Sequence, residues 1–137
     1  MNKEPNAFQR TSMNTQAPVM LVTGSAKRIG AAIIRAAHSQ GYCVIIHCHH
    51  SETAANRLAA QLNDMRDNSA IVIVADLAVV NDDTALNQFV QNIMSAFGQL
   101  DVLVHNASRF YPSPLGGINH AQWDELFLTN AKAPLLL

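Results

Sequence analysis

Val19-Met20-Leu21-Val22 runs straight into Thr23-Gly24-Ser25-Ala26-Lys27-Arg28-Ile29-Gly30, and a helical pattern follows from Ala31 to Gln40. A short apolar strand, a glycine-punctuated turn and an amphipathic helix in that order form one strand–turn–helix unit. Gly24 permits the tight turn, and Gly30 lets the helix pack close to the strand. Free amides of the loop and the positive end of the helix then face a pyrophosphate. Two glycines alone also fit an ordinary turn; the strand before them and the helix after them favour the phosphate reading.

The rest of the chain repeats the alternation. Gly41 closes the first helix as a left-handed cap, and Cys43–His47 is a second strand. Ser51 caps a helix reaching Arg66, and Ala70–Ala75 is a third strand. Asn81 or Asp82 caps the next helix, whose apolar stripe is Leu86, Phe89, Val90, Ile93, Met94 and Phe97 and whose end is Gly98. Leu100–His105 is a fourth strand, and Asn119 caps a helix carrying Trp123, Leu126 and Phe127. Continuous apolar strands imply burial on both faces, hence a parallel sheet between helix layers. With right-handed crossovers this gives an α/β fold, a Rossmann-like doubly wound parallel sheet with helices on both faces, here reaching about four strands. No repeat of solenoid period is present.

Composition agrees. The 137 residues fit about one domain, and 49% apolar with 14% charged residues excludes a disordered chain or a fibre. A net charge of −1 offers no basic excess for a nucleic-acid backbone or an anionic membrane. The longest apolar runs are about six residues, against the ~20 of a bilayer span. Residues 1–17 lack apolar periodicity and an apolar signal core, and read as a mobile tail before a single domain beginning at residue 18; Met13 is an alternative start. Cys43 and Cys48 on one strand would lie ~16 Å apart on opposite faces, beyond disulfide reach, which fits a reducing, cytoplasmic setting.

The loop resembles the fingerprint TGxxxGxG of the short-chain dehydrogenase/reductase family, with Arg28 where the middle glycine usually stands. TGxxxRxG is similar to the variant of the pteridine reductases. Three more stretches carry that narrower resemblance: His47-Cys48-His49-His50-Ser51, Asn106-Ala107-Ser108-Arg109-Phe110-Tyr111-Pro112-Ser113-Pro114-Leu115, and Thr129-Asn130-Ala131-Lys132-Ala133-Pro134. The resemblance spans Val19 to Leu137 and implies that Gly24, Arg28, Ile29 and Gly30 cradle a dinucleotide.

An NAD enzyme places an acid about 20 residues past such a loop, on the ribose hydroxyls. Here that place holds His49, His50 and Ser51, which would attract a 2′-phosphate, so NADPH/NADP is the expected cofactor. The resembling proteins commonly show His-Arg-Ser; His50 in place of Arg weakens the clamp, since neutral imidazole brings one donor and no charge. Three histidines in four residues also raise a metal site, with His47 and His49 on one strand face, or plain exposed histidines at a strand end. The spacing of these residues matches no familiar ligand set, so no metal is expected. By resemblance Asp76 reaches the adenine and Leu77 packs against it; Asp76 is equally placed as a turn or cap residue.

On the other side the resemblance implies that Asn106 stabilises the strand end, Ala107 allows close approach to the cofactor, and Ser108 with Phe110 lines a pterin site. Phe110 would stack on the flat ring, worth ~1 kcal/mol beyond burial, and Arg28 would donate to the pterin carbonyl. The alternative for Phe110 is a loop anchor in the core. Asn130 would support a proton-relay water. The family's Tyr-x-x-x-Lys pair is missing: Tyr42 is followed four places on by Ile46, and Tyr111 by Leu115. The expectation is therefore the N-terminal portion of a tetrameric NADPH-dependent reductase of a pterin or dihydropterin, with strand four as an unpaired edge. Dihydromonapterin or dihydrofolate reduction, reduction of another carbonyl, and a non-catalytic NADP(H)-binding or interaction module are the alternatives.

Overall fold

Val19–Val22 carries only apolar side chains, so it is stable as a strand only where both faces are covered. The computed structural model describes residues 16–137 and makes this segment, β1, an inner strand of a parallel four-stranded sheet. Most of the expected tail, with Met13, lies outside the described residues. β2 (Cys43–Cys48) flanks β1 on one side and β4 (Val102–Val104) on the other, with β3 (Ala70–Val74) outside β2. Met20 stands opposite both Val44 and Val102, and Val44 opposite Ala70. The outer edge of β4 has no strand partner among the described residues.

Alternate residues serve the two faces, as the two-residue strand period requires. Val22, Val44, Ile46 and Cys48 pack against Ile34 of α1 (Arg28–Ser39) and Leu58 and Leu62 of α2 (Glu52–Met65). Val19, Leu21 and Ile45 pack against Phe89 and Ile93 of α3 (Asp83–Phe97) on the opposite face. The fold is thus Rossmann-like, with helices on both sides of the sheet. Cys43 packs on the α3 side and Cys48 on the α1/α2 side, and both thiols are free.

Several boundaries differ from expectation for local reasons. α1 starts at Arg28, three residues before Ala31, because its first turn, Arg28-Ile29-Gly30, exposes its one large apolar side chain and gives no periodic signal. Ser51 takes the N-cap position of α2, but its hydroxyl makes no capping bond; its ψ of 39° lies outside the extended geometry that aims a cap at the first turn. Asp82 caps α3 by accepting from Ala85 N–H, and Gly98 (φ 78°) ends it. Val90 and Met94, 100° round the helix from Phe89 and Ile93, stay partly exposed. β4 is shorter than Leu100–His105; the Asp101 carboxylate takes the Val19 amide at 2.7 Å.

Asn119 and Gln122 form a reciprocal capping box at the start of α4 (His120–Phe127). A π-helical turn, Leu128–Lys132, joins it to α5 (Ala133–Leu136). Trp123 and Phe127 stack at 4.3 Å on an exposed face. Among the described residues no helix is long and apolar enough to cross a membrane.

Candidate functional site

Both loop glycines sit where backbone meets backbone. A Cβ on Gly24 (φ +63°) would lie 2.9 Å from Ala107 Cα, and one on Gly30 would lie 2.6 Å from Ser25 Cα and from Asn106 Nδ2. Between them Arg28 is held at φ 52°, the left-handed region that costs a side-chain-bearing residue roughly 1–2 kcal/mol and that glycine visits freely. Two of the loop amides are already engaged. Gly24 N–H donates to His47 Nδ1 (3.1 Å), and Ser25 N–H donates to the His47 carbonyl (2.8 Å). The helical ladder opens with Ala31 N–H on the Lys27 carbonyl, so the amides of Arg28, Ile29 and Gly30 precede it and remain for an anion.

Asn106 holds the loop from the end of β4. Its Nδ2 donates to the carbonyls of Thr23 (2.9 Å) and Gly24 (3.0 Å), while Asn106 and Ala107 amides both donate to Thr23 Oγ1. Thr23, only 1% exposed, is a further site-shaping residue; its signal in the sequence is a hydroxyl at the last position before the loop glycine.

The loop borders a cleft at the carboxyl ends of the strands, where the strand order reverses between β1 and β4. Gly24, His49, His50 and Asp76 line one part of it, and Ala107, Ser108 and Thr129 another. His49 Nε2 is 3.7 Å from Asp76 Oδ2, and its ring lies 3.6 Å from that of His50. Both partners are well exposed, so the pair contributes ~0–1 kcal/mol. Asp76 also caps the short 3₁₀ turn Leu77–Asn81 by accepting from Ala78 N–H, so its structural role is present. Leu77 is buried beneath the cleft wall. His47 and His49 do not share a strand face, since β2 ends at Cys48, and His47 is buried rather than exposed. Burial holds its pKa below the ordinary histidine value, against the opposing pull of the Ala75 carbonyl.

A second groove opens beside the first. Lys27, His50, Ser51 and Arg57 border it at the start of α2. Sequence reasoning missed Lys27 and Arg57. The available signal was a basic residue inside the loop and another on the second turn of the following helix.

The segment after β4 is tied down at Arg109. Asn130 Oδ1 accepts from Arg109 N–H (2.9 Å), and Asn130 Nδ2 donates to the Arg109 carbonyl (2.8 Å). Both amide atoms of Asn130 are therefore engaged with backbone. Arg109 Nη1 and Tyr111 Oη converge on Glu125 Oε2 at 2.7 and 2.5 Å. The Tyr111 hydroxyl, then the Arg109 guanidinium, hold the Glu125 carboxyl below the usual carboxylate range, and the bond to Glu125 raises the Tyr111 phenol. Phe110, between these anchors, is 86% exposed, which overturns the reading as a core anchor.

Residues 18–137 match the family described as short chain dehydrogenase. The chain is 40% identical to pteridine reductase 1 of Leishmania tarentolae over 88% of its own length and 52% of that protein. It is 31% identical to a short chain dehydrogenase/reductase of Colletotrichum higginsianum over 94% of this chain and 47% of the relative, and 29% identical to an uncharacterized oxidoreductase of Staphylococcus epidermidis over 85% and 47%. The chain spans about half the length of the relatives it matches. The glycine turn locked under the β4 end, the cleft at the strand reversal and a match running through both place this chain in the short chain dehydrogenase family, a family of oxidoreductases that use nicotinamide cofactors.

Proposed function

We propose that this chain is the cofactor-binding part of an NADPH-dependent reductase acting on a pterin or dihydropterin. The observation that carries the cofactor choice is the groove at the end of β2, which Lys27, His50, Ser51 and Arg57 border and no carboxylate lines. A carboxylate there would repel a 2′-phosphate; Lys27 and Arg57 supply the lasting positive charge that a neutral imidazole lacks. The Arg28, Ile29 and Gly30 amides then serve the pyrophosphate, Asp76 and Leu77 the adenine side, and Asn106, Ala107 and Ser108 the nicotinamide side. Bound dihydronicotinamide supplies a hydride; this chain binds it, orients it and forms one wall of the substrate site.

The substrate reading rests on Phe110, whose ring is free to stack on a flat bicyclic ligand, with Ser108 in the adjoining cleft. The relative named pteridine reductase 1 supports the same class. The Tyr-x-x-x-Lys pair is not among these 137 residues, so they should bind without turning over. The test is a fluorescence titration of the purified chain with NADPH and with NADH. NADPH should bind at least tenfold tighter, and equal affinities would refute the cofactor reading. Dihydrobiopterin should then bind the loaded protein, and Phe110→Ala should weaken it; unchanged affinity would refute the stacking role.

A further inference from the structure

His47 is an imidazole inside an otherwise apolar strand, 2% exposed, at the end of β2 that meets the dinucleotide loop. Both ring nitrogens are used. Nδ1 accepts from Gly24 N–H at 3.1 Å, and Nε2 meets the Ala75 carbonyl at 3.1 Å. An amide can only donate and a carbonyl can only accept, so the two bonds define one form: neutral, with the proton on Nε2. The backbone of the same residue adds a second tie, since Ser25 N–H donates to the His47 carbonyl and His47 N–H donates to Ser25 Oγ. Phe89 packs against the ring edge-on at 5.7 Å.

The imidazole thus joins two places that a dinucleotide must touch together. Gly24 opens the loop whose first-turn amides remain for an anion. Ala75 precedes Asp76 and Leu77, on the far side of the same cleft. Gly24 also lies against Ala107, so a shift of the turn would be felt on the opposite wall.

We propose that His47 is a positioning residue for the cofactor: its Nε2-protonated neutral ring sets the Gly24 turn against the end of β3 and so fixes the spacing between the phosphate loop and the adenine side. This rests on the dinucleotide reading above. The decisive contact is the acceptor at Nδ1, because it alone reaches the loop through the side chain.

Three substitutions separate positioning from packing. His47→Asn can set its amide oxygen near the place of Nδ1 and keeps an acceptor for Gly24. His47→Gln can reach Ala75 with its amide nitrogen but sets no acceptor at Nδ1. His47→Leu keeps neither. All three should lower the melting temperature. NADPH affinity should stay within about threefold of the unaltered protein in His47→Asn and fall at least tenfold in the other two. Affinities that follow melting temperature rather than the acceptor would overturn the proposal, as would no change in any variant. A readout without substitution is the long-range nitrogen–proton spectrum of the imidazoles in the unaltered protein. It should show His47 protonated on Nε2 only; a proton on Nδ1 would overturn the proposal even if the variants fail to fold. Failure of the unaltered protein to bind NADPH would overturn the proposed function and this inference with it, whereas binding that all three variants share equally would overturn the inference alone.

Discussion

Replacing Gly30 with alanine adds one methyl group where two backbone segments already touch. That methyl carbon would sit 2.6 Å from Ser25 Cα and Asn106 Nδ2 and 2.7 Å from the Gly24 carbonyl oxygen. Comfortable contacts between carbons are ~3.5–4.0 Å, so the loop and the helix must part by ~1 Å. Two of the three neighbours are backbone, and Ser25 is held at its amide by the His47 carbonyl at 2.8 Å, so neither yields as a side chain would. Overpacking of this kind costs ~1–3 kcal/mol. Displacing Asn106 also weakens its bonds to Thr23 and Gly24, each worth about 1 kcal/mol net. Alanine regains up to ~1 kcal/mol as the better helix former. The balance is a loss of about 2–3 kcal/mol, and with a urea slope near ~2 kcal/mol/M the unfolding midpoint should drop by about 1–1.5 M. NADPH affinity should fall at least tenfold in the same variant. Gly41→Ala is the control: nothing lies within 4 Å of its added carbon, and its φ of +93° charges the backbone alone. It should lower the midpoint and leave NADPH binding intact. A Gly30→Ala midpoint within ~0.3 M of the unaltered protein, with unchanged NADPH affinity, would refute the close-approach argument.

Arg28→Gly should act in opposite directions on two assays: it relieves a left-handed residue at φ 52°, raising stability by up to ~1 kcal/mol in urea, and it removes a guanidinium from the loop, weakening NADPH binding. His50→Asp should weaken NADPH far more than NADH in parallel titrations, because it sets a carboxylate in the groove bordered by Lys27 and Arg57. His38 and His47 both have pKa values pushed down by burial, in His38 also by the Arg66 guanidinium, so the unfolded chain takes up their protons first. Stability should therefore be level above pH ~6.5, fall as the pH drops toward 5, and stop falling from this cause below the folded-state values; a urea midpoint that is flat or rising from pH 7.5 to 5 would contradict it. Glu125→Gln should barely move the midpoint, since the Arg109–Glu125 pair is about half exposed and screened by water, yet should speed hydrogen exchange of amides around Arg109 and Tyr111.

The alternation of apolar runs with glycine and acidic or amide caps was enough to read the four strands, the two helix layers and their order along the chain. Strand order across the sheet came from the fold, since a parallel crossover leaves no pairing signal in local sequence. The π-turn at Leu128–Lys132 was also hidden. Its five residues have no distinctive helical period, and its cause lies two residues past its end: Pro134 lacks an N–H and would crowd the carbonyl of Asn130, which an α-helix cannot accommodate and a wider turn can. At the site, glycine spacing located the loop because close approach restricts residue type strongly. The roles of Lys27, Arg57 and His47 were not legible, because each depends on which backbone groups the fold brings beside it. His47 in particular reads locally as one of three histidines at a strand end, and only the third dimension separates it from the other two.

The inner position of β1 has a bearing on how the chain is made. β1 leaves the ribosome first among the strands, and β2 arrives 24 positions later in register to cover one edge. Its other edge waits for β4: the Val19 amide is met by the Asp101 carboxylate, 82 residues downstream. At about 5–20 residues per second that is roughly 4–16 s in which a wholly apolar strand shows an open row of amides and carbonyls to the cell. A nascent chain in which Asp101 has yet to emerge from the ribosome should therefore be a better chaperone client than one in which His105 has emerged, and the point of release should coincide with the emergence of the β4 end that also closes the dinucleotide loop.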